Sequence, residues 1–351
     1  MNDRFRCLAS PRRRVADRAG FILISVLWLL VALSAVGLHA GLQLRTERLA
    51  AANQLDDARA RAAAGAGVEY ARSRLTSAML DRADELRAQS AQAQRGQGGR
   101  TFSVDRLFRA SDPLEDPWRD PEELVVPEMA FGDARFALRL RDTAAALNLN
   151  AADEEMLRNF FSLGLGVEYQ TADRLAQAIL DWRDEDDLAR PGGAERDDYL
   201  RAGAAVLPAN RPFAELEELR HVMGMTPEIY ERALPFLTLT GVGRINVNAA
   251  PEPVLLALPG MTPALAREIL AMRAGGAPLP RSTGQLIRLL SGEAEVIRRN
   301  PQAFNNRVVY ATNEVEITAD GQVEGSPVVA RVRVIVSRSS GGALVVSREY
   351  R

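Results

Sequence analysis

Gly20-Phe21-Ile22-Leu23-Ile24-Ser25-Val26-Leu27-Trp28-Leu29-Leu30-Val31-Ala32-Leu33-Ser34-Ala35-Val36-Gly37-Leu38 carries no charged side chain, and none follows until Arg45. About 24 residues rising ~1.5 Å each cross a hydrocarbon core of ~30 Å as a helix. Arg4, Arg6, Arg12, Arg13, Arg14 and Arg18 precede the stretch, opposed only by Asp3 and Asp17. That imbalance keeps the N-terminus cytoplasmic and sends the body outward. A secretory signal peptide shares the basic start, with a shorter apolar region of about 7 to 15 residues, and Ala32-Leu33-Ser34 would serve as its cleavage site. The continuation through Leu42-Gln43-Leu44-Arg45-Thr46-Glu47-Arg48-Leu49 without Pro or a Gly pair favours a single long helix, half in lipid and half in water.

The 351 residues are too many for one small unit on such a stem, and the length predicts two units beyond it. Every basic residue is Arg. Without residues 1–20, 38 basic residues face 44 acidic ones, a formal charge of −6. The single cysteine, Cys7, lies before the apolar stretch, so the exported body holds no internal disulfide.

Residues 45–95 read as the soluble half of the helix, with Leu49, Ala52, Leu55, Ala58 and Ala62 at helical spacing. Within it, Ala64-Gly65-Ala66-Gly67 predicts a bend or a close packing contact. Gly96-Gln97-Gly98-Gly99 ends it, and a Pro- and Asp-rich loop surrounds Trp118. Ala130 to Leu140 alternates apolar and polar as one half-buried strand. The pattern is then helical until Arg307-Val308-Val309-Tyr310, after which Glu314–Thr318, an Asp320-Gly321 turn, Val328–Val336, a Ser339–Gly342 turn and Leu344–Tyr350 read as antiparallel hairpins. The predicted fold is α+β: a spine helix and a small antiparallel sheet, interrupted by a large all-α insertion. The expected segments are 1–20, 21–44, 45–95, 96–146, the insertion 147–303, and 304–351.

The insertion repeats itself. Leu147-Asn148-Leu149-Asn150-Ala151-Ala152-Asp153-Glu154 returns as Ile245-Asn246-Val247-Asn248-Ala249-Ala250-Pro251-Glu252, and Ala176 to Arg183 aligns with Ala266 to Arg273. The first copy carries about eight extra residues; the second alone reads cleanly as helix-hairpin-helix, and Asn150 and Asn248 are expected as helix N-caps. Such hairpins grip nucleic-acid phosphate through backbone N–H groups and nearby cations, but here the turn Pro259 to Pro263 has two prolines, the body is acidic and no basic cluster flanks either hairpin. Packing units are the expectation, and no nucleic-acid partner. Catalysis is not expected either: His39 and His221 are the only histidines and have no visible triad partners.

The chemically dense stretch lies between the copies, Asp181-Trp182-Arg183-Asp184-Glu185-Asp186-Asp187-Leu188-Ala189-Arg190-Pro191-Gly192-Gly193-Ala194-Glu195-Arg196-Asp197-Asp198-Tyr199. Eight carboxylates fall within 18 positions, folded back by Pro191-Gly192-Gly193. Converging carboxylates need a cation or protons, and oxygen ligands without His or Cys fit Ca2+. A solvated acidic loop is the alternative.

Ala19-Gly20 followed by Phe21 and an apolar helix resembles the class III signal of type IV pilins and type II secretion pseudopilins. The resemblance implies that a prepilin peptidase cuts after Gly20 and methylates Phe21, making residues 1–20 a leader. Most such proteins carry Glu five residues into the mature chain, where Ser25 stands here. That departure, together with the insertion and the Asp-Trp-x-Asp-x-Asp, Gly-Ala-Glu and Tyr pattern, resembles the minor pseudopilin K family, whose inserted domain binds calcium. The resemblance implies Asp184, Asp186, Glu195 and Asp198 as calcium ligands. It further implies an inner-membrane subunit with a periplasmic body in a Gram-negative bacterium, at the tip of the pseudopilus among other minor pseudopilins. There it would initiate or cap assembly for export of folded proteins across the outer membrane. A DNA-binding competence pilin is the alternative.

Overall fold

A computed structural model describes residues 16–93, 113–275, 278–290, 294–339 and 342–350. The chain divides into two compact units, Met1–Ala58 and Arg59–Arg351. Gly96 to Gly99 lie outside the described residues. Gly20 and Phe21 fall in the helix Ala16–Ala93 at positions whose side chains are not described.

In the first unit, the described apolar side chains of this helix are exposed, with Leu23, Trp28 and Leu38 at 74%, 69% and 68%. The helix contains an 18-residue window of mean hydropathy 2.2, none of it buried, long and apolar enough to cross a membrane.

In the second unit, the same helix buries one stripe, Ala64, Val68, Ala71, Leu75 and Met79, spaced by three and four residues. It packs on a five-stranded antiparallel sheet of order β1 (Glu128–Phe131), β2 (Ala134–Asp142), β7 (Glu314–Val323), β8 (Val329–Ser339) and β9 (Gly342–Tyr350). Burial alternates along β2 and β7, so Phe136, Leu138, Leu140, Val315, Ile317 and Ala319 all face the helix. Trp118 closes this core, its indole N–H donating to the Leu75 carbonyl at 2.9 Å.

Two expectations about the sheet are corrected. Ala130–Leu140 is not one strand but the hairpin of β1 and β2, turned at Gly132 with φ 64°. Asp320-Gly321 is not a turn: β7 runs through it, because a Cβ on Gly321 would overlap the backbone of Ala60 and Ala64. The glycine is there for close approach of helix to strand. Gly67 likewise lies against the Phe136 ring, where an added Cβ would be 2.8 Å away.

The insertion between β2 and β7 belongs to the same compact unit as the sheet. It is mainly helical, but it also contains two short parallel pairs, β3 (Leu147–Asn148) with β4 (Leu237–Thr238), and β5 (Ile245–Asn246) with β6 (Val308–Val309). Each pair closes one copy of the repeat. The copies share their hydrogen bonds: Asn148 and Asn246 each accept from the N–H two residues on, at 2.9 and 3.0 Å. Arg183 binds the carbonyls of Leu149 and Ala152, and Arg273 those of Val247 and Ala250. Asn150 and Asn248 are not N-caps. Asp153 caps the helix Glu154–Asn159 and Pro251 precedes Glu252–Leu255. Asn150 instead donates to Phe213 O and accepts from Phe213 N–H; Asn248 donates to Pro280 O. Proline has no N–H to return, so Asn248 Oδ1 is buried with no partner among the described residues.

Replacing Gly321 by Val should destabilise the second unit by about 2 kcal/mol or more, since helix and strand must part to admit the side chain. Chemical denaturation checks this; an unchanged midpoint would mean that the close approach is not needed.

Candidate metal centre in the acidic loop

The helix Tyr169–Arg183 starts at Glu168, which accepts from Gln170 and Thr171 N–H, and buries Ala172, Leu175, Ala176, Ile179 and Trp182. Asp181, in its last turn, is fully buried. A lone carboxylate there would be unstable. Arg190 Nη1 lies 2.5 Å from Asp181 Oδ1 and 2.5 Å from Asp184 Oδ2, while Arg190 N–H donates to Asp181 Oδ2 at 3.1 Å. Gly192 N–H donates to Gln177 Oε1 at 2.8 Å, and a Cβ on Gly193 would overlap Asp181 Oδ2. The Pro191-Gly192-Gly193 reversal is therefore wrapped around one buried carboxylate.

The second limb is fixed by aromatic packing. Trp182 meets Tyr199 edge-on at 5.7 Å and stacks on Phe213 at 6.2 Å, and Tyr199 OH accepts from Met223 N–H at 2.7 Å. This brings Glu195 back onto the first limb. Asp184, Asp186 and Glu195 each present a carboxylate oxygen within 4.8 Å of the others. Ligands at about 2.4 Å from one ion lie no more than about 4.8 Å apart, and the three oxygens meet that spacing limit for one shared cation.

The polar accounting agrees. Glu195 is 4% exposed, yet neither of its oxygens has a hydrogen-bond partner among the described residues, and Asp184 Oδ1 is in the same condition. Burial, then the charges of Asp181, Asp184, Asp187 and Asp186, push the Glu195 carboxyl up to about 7. Burial raises Asp181 too, against the pull of Arg190. Asp186 is exposed, with Oδ1 accepting from Leu188 N–H at 2.8 Å; Asp187 is engaged by Asn210. With carboxylates and no His or Cys, the set suits a hard cation.

Asp198 is not brought to this cluster. Its Oδ2 accepts from Glu195 N–H at 3.0 Å and its Oδ1 pairs with Arg201 at 2.6 Å, so it caps the helix Arg196–Arg201. Sequence reasoning did not assign a role to Asp181 or Arg190. The available signal was an acid at the end of an apolar helical stripe, followed by an Arg immediately before Pro-Gly-Gly.

Comparison with known proteins places these elements. Residues 136–242 match the family described as type II secretion system (T2SS), protein K. The chain is 35% identical over 101 residues to the type II secretion system protein K of Dickeya chrysanthemi, covering 29% of this chain and 26% of that protein. It is 29% identical over 172 residues to the Pseudomonas aeruginosa protein K, covering 46% and 50%. The matches span between about a quarter and a half of these relatives' length. Among solved structures, the GspK-GspI-GspJ complex from the enterotoxigenic Escherichia coli type 2 secretion system contains a chain of the same fold, with a TM-score of 0.52 and 19% identity over 88% of this chain and 99% of that one.

With its folded pKa near 7 against an ordinary value of 4.5, Glu195 favours the fold while protonated, so that contribution is complete at low pH and is lost as pH rises through about 7. In chelator, the melting temperature of the protein should fall between pH 5 and 7.5, and Glu195→Gln should fall less. Parallel curves would show that Glu195 is not the strained group.

Proposed function

We propose that this chain, whose residues 136–242 carry the type II secretion system protein K domain, is a minor pseudopilin of a type II secretion system. One observation carries the reading: a helix with an apolar N-terminal half packs its stripe Ala64 to Met79 on a small antiparallel sheet, and a helical domain is spliced between two neighbouring strands of that sheet. The stem anchors the protein in the inner membrane with the body in the periplasm. Prepilin peptidase processes it between Gly20 and Phe21. Its partners are counterparts of the two proteins bound to the E. coli chain, and its place is the tip of the pseudopilus, where it initiates assembly and does not propagate a homopolymer. The absence of an acid at Ser25 suits a subunit with no neighbour above, since an unpaired carboxylate in a helix bundle is unfavourable.

The acidic loop holds a calcium ion through Asp184, Asp186 and Glu195. The ion neutralises three carboxylates and ties the limb Asp184–Asp187 to the start of Arg196–Arg201. Asp198 serves it indirectly by fixing the Glu195 backbone. This is a structural role, with no reacting group attached. Nucleic-acid binding by the repeats is not favoured in a body of formal charge −6.

Co-expression should recover the chain with the other minor pseudopilins of its system, and loss of the chain should stop export of that system's substrates. Recovery alone, or long fibres of the purified chain, would contradict the tip assignment. Millimolar calcium should raise the melting temperature of the detergent-solubilised protein, and Asp186→Ala or Glu195→Ala should abolish the gain. Equal shifts in the variants would place the ion elsewhere.

A further inference from the structure

We infer that Arg190 is a resident counter-cation of the acidic loop: it holds the first limb folded without a metal and competes with the divalent cation for Asp184. This rests on the calcium reading above, and its test separates the two.

The geometry divides Asp184 between two masters. Its Oδ2 is 2.5 Å from Arg190 Nη1, its Oδ1 is buried and unpartnered among the described residues, and one of its carboxylate oxygens lies in the cluster with Asp186 and Glu195. Arg190 is itself held by two carboxylates and by its own backbone donation to Asp181. Its guanidinium is held more firmly protonated than usual, first through the Asp184 hydrogen bond. Asp181 needs this partner, being fully enclosed by Arg190 and Gly193. The reversal Arg190–Gly193 is therefore closed by a protein cation, while neither oxygen of Glu195 has a partner among the described residues.

Five carboxylates, Asp181, Asp184, Asp186, Asp187 and Glu195, meet the two guanidiniums of Arg190 and Arg183, which leaves about three negative charges when all ionise. A divalent cation reduces that excess, but it must approach a fixed positive charge one carboxylate away. Arg190 thus stabilises the metal-free loop and weakens the metal complex, setting the site toward the ~10⁻⁴–10⁻³ M affinities of extracellular calcium modules. Asp184, Asp186 and Glu195 supply the oxygens; Arg190 sets how tightly they bind.

The full chain in detergent, melted in chelator and titrated with calcium by calorimetry, tests this with Arg190→Gln, Arg190→Lys and the pair Asp181→Asn with Arg190→Gln. Arg190→Gln should lower the melting temperature in chelator, enlarge the calcium-induced rise, and tighten calcium binding by about tenfold. Arg190→Lys should restore most of both properties. The double variant, which leaves no unpaired charge at position 181, should fold and still bind calcium more tightly than wild type. Unchanged or weaker affinity in a folded double variant overturns the competition and leaves the calcium site standing. An unchanged melting temperature of Arg190→Gln in chelator overturns the pin. Absence of calcium binding by wild type and variants alike overturns the calcium reading, and the competition with it.

Discussion

Glu195 is a carboxylate taken out of water with no hydrogen-bond partner among the described residues, and the acidic loop is built around that fact. Its neighbours raise the free energy of the charged form, because Asp181, Asp184, Asp186 and Asp187 all repel it. A structural carboxylate usually resolves this with backbone donors, as Asp153 and Glu168 do at the helix starts they cap. Glu195 forgoes that solution. The capping donor–acceptor pair runs the other way, from its own N–H to Asp198, which leaves its side chain pointing at other acids. Protonation or a cation are the remaining ways to relieve it.

The repeat explains why the loop sits in only one copy. Both copies end their second helix in an arginine that ties down the Asn-x-Asn entry, Arg183 and Arg273, and burial lowers each of these to about 10. Past Arg273 the chain reaches Pro280 within a few residues. Past Arg183 it takes residues 184–212 to reach Phe213, the partner of Asn150 that corresponds to Pro280 as partner of Asn248. The acidic segment is therefore an excursion from a closed unit. Its ends are fixed by Arg183 and Asn150, and its interior is free to be specialised as far as Asp181 and the Trp182–Tyr199–Phe213 packing allow.

What could be read from the sequence was whatever depended on composition and spacing. The uncharged stretch after Gly20, the alternation in β2, the β-branched run of β8, the repeat and the acidic limbs folded back at Pro191-Gly192-Gly193 all have periodic or local signatures. What failed depended on distant packing. Asp320-Gly321 reads as a turn because its neighbours in sequence say so; the helix backbone that demands the glycine is some 260 positions earlier. Asn150 reads as a cap because its acceptor role is normally local, whereas its partner Phe213 lies 63 residues away. Asp198 reads as one more acid of the loop, with Asp197 competing for the role, whereas Arg201 and the Glu195 N–H take both its oxygens.

Placement of the insertion follows from the sheet. β2 and β7 are antiparallel neighbours in register from Ala134↔Val323 to Asp142↔Val315, so residues 143–313 close what is topologically a hairpin. Loop-closure entropy grows only logarithmically with length, and a folded insertion with adjacent ends adds little further penalty. Asp142 makes the joint specific. It is 4% exposed and accepts from Ala144 N–H, Asn246 Nδ2 and Thr312 Oγ1 at 2.9, 2.7 and 2.8 Å, joining the end of β2 to β5 and to the segment entering β7. Burial raises its pKa and those donors oppose the rise. Because Asn246 also accepts the N–H that shapes the second Asn-x-Asn turn, the joint and the repeat share a residue. The helical domain is thus hydrogen-bonded into the mouth of the hairpin that carries it, through a group that has no alternative partner in solvent.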